Sequence, residues 1–119
     1  MKKNYLVITG GAGFVGTNLI KKLIRFKNFN IISIDNYSSG STKNHIKSQR
    51  IKYIKNDTKN IEKILNKVRN KIHTIFHFGE FSRIYQSFIK YDQCLNSNII
   101  GSNAIFKFCL KNKIKLIYS

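Results

Sequence analysis

The chain contains no proline, two cysteines, and five acidic residues against 22 lysines and arginines. Each scarcity excludes something. Without proline there is no proline-rich linker, and no low-complexity tail divides the sequence. Cys94 and Cys109 lie in polar or helical contexts without metal-ligand spacing, so they are expected as free thiols in a reducing cytoplasm. No apolar run approaches the length that crosses a bilayer. Met1-Lys2-Lys3-Asn4 leads directly into the first apolar run, leaving no room for a signal peptide, and the expected location is cytoplasmic. A chain of 119 residues, 42% hydrophobic, suffices for one compact domain with a real core.

The shortage of acids gives a formal net charge of +17. Such a balance raises nucleic-acid binding as a reading. Against it, the lysines are scattered (Lys2, Lys21, Lys43, Lys55, Lys63, Lys90, Lys111), with no aromatic-interleaved basic stripe and no recognition-helix pattern. Lys, Asn and Ile together exceed two fifths of the chain, and A/T-rich codons encode all three. Codon bias is the preferred explanation, and neither nucleic acid nor membrane is an expected partner. The excess charge still attracts anionic ligands, most strongly at low salt.

What is abundant at one point is glycine. Tyr5-Leu6-Val7-Ile8-Thr9 runs into Gly10-Gly11-Ala12-Gly13-Phe14-Val15-Gly16. Leu6, Val7 and Ile8 read as a strand buried on both faces. Val15, Leu19, Leu23 and Phe26, with Ile20 and Ile24 beside them, recur at helical spacing. A strand, a glycine turn and a helix N-terminus make a site for a nucleotide pyrophosphate. The helix start offers unpaired amides and the positive end of its dipole, and the glycines permit a tight turn and close approach. Asp35, 19 residues past Gly16, ends the apolar run Ile31-Ile32-Ser33-Ile34. An acid at the end of the second strand accepts hydrogen bonds from the adenine ribose hydroxyls and repels a 2′-phosphate. No arginine lies between Phe26 and Gln49 to receive such a phosphate, so the cofactor reading is NAD rather than NADP.

The remaining segments alternate strand and helix. Asn30 to Ile34 is the second strand, followed by a loop rich in Ser, Gly and Asn in which Asn36 and Ser38 can bond the adenosine half. Ile51-Lys52-Tyr53-Ile54 is the third. Asp57 follows it, placed either to accept the adenine amino group or to cap the helix carrying Ile61, Ile64, Leu65 and Val68. Ile72 to Phe78 is the fourth strand. Its His73 and His77 share one face at period four and read as packed core histidines rather than metal ligands, while His45 reads as a surface residue. In a doubly wound sheet of order 3-2-1-4-5, strands one and four flank the switch point, so Phe78 and Gly79 should pass close to the cofactor and Arg83 can meet a phosphate. A long helix from Phe88 or Tyr91 to Leu110 buries Ile105, Phe108 and Cys109, with Gly101 and Ser102 allowing close contact with the sheet and Asn98 toward the crevice. Lys115 to Ser119 is the fifth strand.

These residues together resemble the extended short-chain dehydrogenase/reductases, in particular the NAD-dependent epimerase/dehydratases acting on nucleotide sugars. The resemblance rests on Thr9 to Gly16 (similar to TGGAGFIG), Asp35 to Gly40 (similar to DNLSSG), His77-Phe78-Gly79-Glu80 (similar to HFGE), Asn98 to Ser102 (similar to NVxGT) and Lys115 to Ser119. It implies a Rossmann-type doubly wound parallel α/β sheet of about five strands, with residues 1–119 as an NAD-binding domain. It implies that Gly10, Gly13 and Gly16, with Phe14 and Val15, carry the pyrophosphate. It assigns Asp35 and Asn36 to the ribose and Asp57 to the adenine, with Phe78, Gly79, Asn98 and Ser119 lining the cofactor. Ser82 and Arg83 would reach toward the sugar nucleotide.

The departure from the family pattern is catalytic. Family chemistry needs a Tyr-x-x-x-Lys pair, the tyrosine acting as acid/base and the lysine lowering its pKa. The residues four after Tyr5, Tyr37, Tyr53, Tyr85 and Tyr91 are Thr9, Ser41, Asp57, Ile89 and Leu95, and Tyr118 has no such residue after it. The chain therefore reads as the first third of such an enzyme, inactive alone, whose partners are a nucleotide-sugar substrate in the complete enzyme and a second copy or the missing remainder. The alternatives are a stand-alone, non-catalytic NAD-binding module and, behind it, a basic nucleic-acid binder.

Overall fold

The computed structural model describes residues 2–78 and 96–118, with side chains in the second stretch from residue 99 onward. The apolar runs form five parallel strands, β1 (Tyr5–Thr9), β2 (Asn30–Asp35), β3 (Ile51–Lys55), β4 (Ile72–His77) and β5 (Lys115–Tyr118), in the order β3-β2-β1-β4-β5. Val7 pairs with Ile32 on one side and Ile75 on the other, and both faces of β1 are buried, as its unbroken apolar run requires. Helix α1 (Phe14–Leu23) covers one face; α2 (Ile61–Leu65) and α3 (Ser102–Asn112) cover the other. Among the described residues no helix is long and apolar enough to cross a membrane.

Two clusters make the core. Leu6, Ile8, Ile20 and Ile31 pack on the α1 face. Val7, Ile32, Ile34, Ile61, Leu65, Ile72, Ile75, Ile105 and Phe108 pack on the other. Ile105, Phe108 and Cys109 are buried as the α3 pattern requires. The α1 stripe differs from its sequence reading. Gly16, Thr17 and Ile20 are its buried residues, with Leu19, Leu23 and Ile24 packed beside them, whereas Val15 and Phe26 are exposed. Gly16 lies so close to the turn before it that it sets the inward face, and Val15, about 100° away, turns outward.

Helix α2 is shorter than its apolar pattern, because 3₁₀ turns flank it at Thr58–Asn60 and Asn66–Lys71. Ahead of α3, Asn96–Gly101 is a π-helical turn; any helix upstream falls outside the described residues. Arg50 closes the other end of α1. Its guanidinium donates to the carbonyl oxygens of Ile24, Phe26 and Phe29, in the chain just past the end of the helix.

The histidines separate. His77 is fully buried, its Nδ1 bonded to Thr9 Oγ1 at 2.6 Å and its Nε2 to Ser102 Oγ at 2.9 Å, and its ring stacks with Tyr118. It is the packed core histidine the sequence suggests. His73 is exposed and sits edge-on to Phe29. The register between β1 and β4 shifts so that Tyr5 pairs with Ile72 but Leu6 with Thr74. That irregularity breaks the two-residue alternation that would have put His73 on the face of His77.

Candidate dinucleotide site

The glycine turn occupies the carboxyl end of β1, between β2 and β4. Gly10 has φ 73°, a conformation that only glycine adopts freely, and its N–H donates to Ile34 O at 2.7 Å. The other glycines are needed to different degrees. A Cβ on Gly16 would stand 2.2 Å from Gly10 O and 2.7 Å from Gly11 Cα, so this position is closed to any side chain. One on Gly11 would strike Ser33 Oγ at 2.0 Å. A Cβ on Gly13, by contrast, would meet only Gly10 O, at 3.4 Å. Gly13 is open toward solvent, where a ligand can approach, while Gly11 and Gly16 are closed by packing.

Gly13 is also the N-cap of α1 and has no side chain to satisfy the first amides. The first helical bond runs from Thr17 N to Gly13 O, so the amides of Phe14, Val15 and Gly16 precede the ladder. No acid sits in the first turn of α1, and Lys21 and Lys22 sit in its last. The positive end of its dipole is therefore not offset by its own sequence.

Asp35, half-buried at the end of β2, faces this turn. Its Oδ2 accepts from Ala12 N at 3.0 Å and its Oδ1 from Tyr37 N at 2.8 Å. Each oxygen keeps a further acceptor direction. The loop after β2 folds back over the glycine turn: Ala12 O accepts from Ser41 N at 3.1 Å and from Asn44 Nδ2 at 2.8 Å. Gly40 sits in the closure, where a Cβ would be 2.8 Å from Asp35 Oδ2. Both polar atoms of the Ala12 peptide are thus held by a segment 23 to 32 residues away.

Asn36 and Asp57 are joined, Asn36 Nδ2 donating to Asp57 Oδ1 at 3.0 Å. Asn36 Oδ1 accepts from Ser38 N at 2.9 Å. Asp57 stands at the N-cap position of the turn Thr58–Asn60, but its side chain makes no capping bond. Its carboxylate looks across to β2 instead of along the chain. Phe78 lies beside the same end of the sheet, its N–H bonded to Thr9 O and Thr9 Oγ1.

Gly10, Gly13, Phe14, Val15, Gly16, Asp35, Asn36, Asp57 and Phe78 are therefore gathered at the carboxyl ends of β1, β2, β3 and β4. Gly79, Ser82, Arg83 and Ser119 lie outside the described residues, as does the side chain of Asn98.

Several further residues border the site. His45 is half-buried rather than a surface residue. Its ring stacks on Tyr53 at 3.7 Å and 9°, and its Nε2 meets the Tyr37 hydroxyl at 2.6 Å. Tyr37 has φ 61°, a left-handed conformation costing about 1–2 kcal/mol in a residue with a Cβ. Burial, then the charge of Asp35, then Tyr53 raise the pKa of its phenol, which stays protonated at neutral pH. With Gly40, Ser41 and Lys55 these residues border a cavity of about 530 Å³ beside Asp35. The only sequence signal for any of this was a loop rich in turn-forming residues.

A parallel sheet of order 3-2-1-4-5 with helices on both faces, and a glycine turn plus an acid at its switch point, defines the Rossmann-type class of doubly wound domains. The chain belongs to the 3-beta hydroxysteroid dehydrogenase/isomerase family, which it matches over residues 7–119. It is similar to ADP-L-glycero-D-manno-heptose-6-epimerase of Brachyspira hyodysenteriae, at 33% identity over 96% of this chain and 36% of that protein. It is similar to dTDP-D-glucose 4,6-dehydratase of Dictyostelium discoideum, at 30% identity over 92% of this chain and 27% of that one. The resemblance to nucleotide-sugar epimerases and dehydratases thus extends beyond short motifs. The solved structure of the Bordetella bronchiseptica enzyme WbmG in complex with NAD shares the fold, with a TM-score of 0.82 at 21% identity over 96% of this chain and 36% of that one. The chain spans between 27% and 36% of the length of these relatives.

Proposed function

We propose that residues 1–119 form the NAD-binding domain of a nucleotide-sugar epimerase or dehydratase. The observation that carries this reading is the bond from Ala12 N to Asp35 Oδ2, which places a carboxylate at the lip of a glycine turn. The residues fit the cofactor. Gly13 leaves space where a pyrophosphate would approach, and the leading amides of α1 point into it. Asp35, already oriented by two backbone amides, accepts the hydroxyls of the adenine ribose, and its charge disfavours a 2′-phosphate there. The Asn36–Asp57 pair borders the adenine. The family resemblance would add Phe78, Gly79, Asn98 and Ser119 to the lining and assign Ser82 and Arg83 to the sugar nucleotide.

NAD, when bound, supplies a reversible hydride acceptor. This chain's part is to bind and orient it. No tyrosine of the chain has a lysine four residues on, so the acid/base for a sugar hydroxyl is not among its residues in the family pattern. The domain therefore binds cofactor without turning over substrate by itself. The relatives' names, and the NAD held by a protein of the same fold, support the reading.

Calorimetric titration tests it. NAD should bind in the micromolar to submillimolar range, and Asp35→Ala should weaken NAD about tenfold or more while changing NADP much less. Absence of NAD binding up to millimolar concentration, or equal losses for the two cofactors, would overturn the assignment.

A further inference from the structure

We propose that His45, acting through Tyr37, is a positioning residue that sets how strongly Asp35 reads the adenosine ribose. The inference rests on the NAD-binding reading above.

The argument starts from the backbone of Tyr37. A tyrosine at φ 61° holds a conformation that its own side chain disfavours, so something outside it must maintain that conformation. The conformation has a consequence at the site, because it aims the Tyr37 N–H at Asp35 Oδ1, at 2.8 Å. The outside support is a relay from the edge of the sheet. Tyr53, on β3, accepts from Ile46 N at 2.9 Å, which fixes its ring. His45 lies flat on that ring, at 3.7 Å and 9°, and its backbone N–H is tied to Thr42 O at 3.1 Å. His45 Nε2 then meets the Tyr37 hydroxyl at 2.6 Å.

The Tyr37 phenol keeps its proton at neutral pH, since burial first and the Asp35 charge second both oppose its loss. The relay takes the sense in which the phenol donates and His45 Nε2 accepts, with the ring proton on Nδ1; an Nε2–H tautomer would donate to the same oxygen instead. Lys55, the register partner of Asp35, borders the same cavity as Tyr37 and His45.

The open volume beside the relay makes the support necessary. Tyr37 borders a cavity of about 530 Å³, so its side chain has somewhere to go once the acceptor is lost. If Tyr37 relaxes toward ordinary φ, its N–H leaves Oδ1. Asp35 then keeps one backbone anchor, at Ala12, and its carboxylate can rotate. What is lost is the part of the affinity that reads the ribose hydroxyls, while the pyrophosphate contacts at the helix start stay in place.

The test separates these parts. NAD and an NAD analogue lacking the 2′-hydroxyl of the adenosine ribose are titrated against wild type, Tyr37→Phe, His45→Phe and His45→Gln. His45→Phe keeps a flat ring for Tyr53 but offers no acceptor, and His45→Gln restores an acceptor without the ring. Wild type should prefer NAD by about tenfold, the effect expected for a hydrogen bond to a charged group. Tyr37→Phe and His45→Phe should shrink that preference to about threefold or less, with affinity for the deoxy analogue changed less than about twofold, and His45→Gln should recover part of the preference. Equal losses for both ligands would show a merely structural role and overturn the proposal, as would an unchanged preference. Binding of neither ligand would instead overturn the NAD-binding reading, and this inference with it. A readout without ligand stands apart: imidazole ¹⁵N shifts at pH 8 should show Nε2 unprotonated in wild type, and a protonated Nε2 would overturn the relay by itself.

Discussion

Alanine substitution at Gly16 and Gly13 should separate folding from binding within one turn. At Gly16 the added Cβ would sit 2.2 Å from Gly10 O and 2.7 Å from Gly11 Cα. Both neighbours are backbone and cannot rotate away, so the start of α1 must retreat by the better part of an ångström. Overpacking of this kind costs about 1–3 kcal/mol, and a rigid backbone neighbour puts Gly16→Ala near the upper end. For a domain of this size that corresponds to a Tm lower by roughly 10 °C. At Gly13 the same methyl would have one neighbour, at 3.4 Å, and φ there is −84°, which alanine adopts without strain. Gly13→Ala should leave Tm unchanged or raise it slightly, because alanine lowers the entropy of the unfolded chain by about 0.4–1 kcal/mol. Its NAD affinity should nevertheless fall about tenfold or more, since the methyl occupies the approach to the pyrophosphate. Thermal denaturation followed by circular dichroism and calorimetric NAD titration measure the two effects. The reasoning fails if Gly13→Ala loses as much Tm as Gly16→Ala, or if it binds NAD as wild type does.

Two further outcomes follow from buried groups. Ser33 Oγ is buried without a hydrogen-bond partner among the described residues, so Ser33→Ala should raise stability by up to about 1 kcal/mol; a comparable loss in chemical denaturation would show a missed partner. Burial pushes the Cys109 thiol up to about 11, whereas an unfolded thiol ionises near about 8.5. The neutral thiol therefore favours the fold fully below the unfolded value, and this advantage fades as pH climbs toward the folded one. Iodoacetamide at pH 8.5, with the label mapped by mass spectrometry, should spare Cys109 in the native protein and mark it once unfolded; equal labelling would contradict the burial.

Much of this architecture was legible in the sequence, because its signals are local. The unbroken run Leu6-Val7-Ile8, the glycine cluster and Asp35 at the end of the next apolar run each have a mechanism confined to a few residues. Their juxtaposition follows from parallel strand order. Sequence and structure part where distant residues decide. Helical spacing alone puts Val15 inward, but the contact of Gly16 with Gly10 sets which side of α1 faces the sheet. Strand alternation puts His73 on the face of His77, but an irregular register interrupts it. The clamp on Ala12 joins residues 32 apart through one asparagine side chain, and His45 gains its partners from β3 and from a left-handed tyrosine. No periodicity encodes such contacts.

Arg50 has a bearing on a site it does not touch. By binding three carbonyls beyond α1, it ties that end of the helix to the residue that leads into β3. Gly16 meanwhile lodges the other end against the turn. A ten-residue helix pinned at both ends has no freedom to slide along its axis. Its leading amides therefore keep a fixed distance from Asp35 before any anion arrives. Little ordering entropy remains to oppose binding at that end, so a modest set of contacts can hold a large, highly charged ligand.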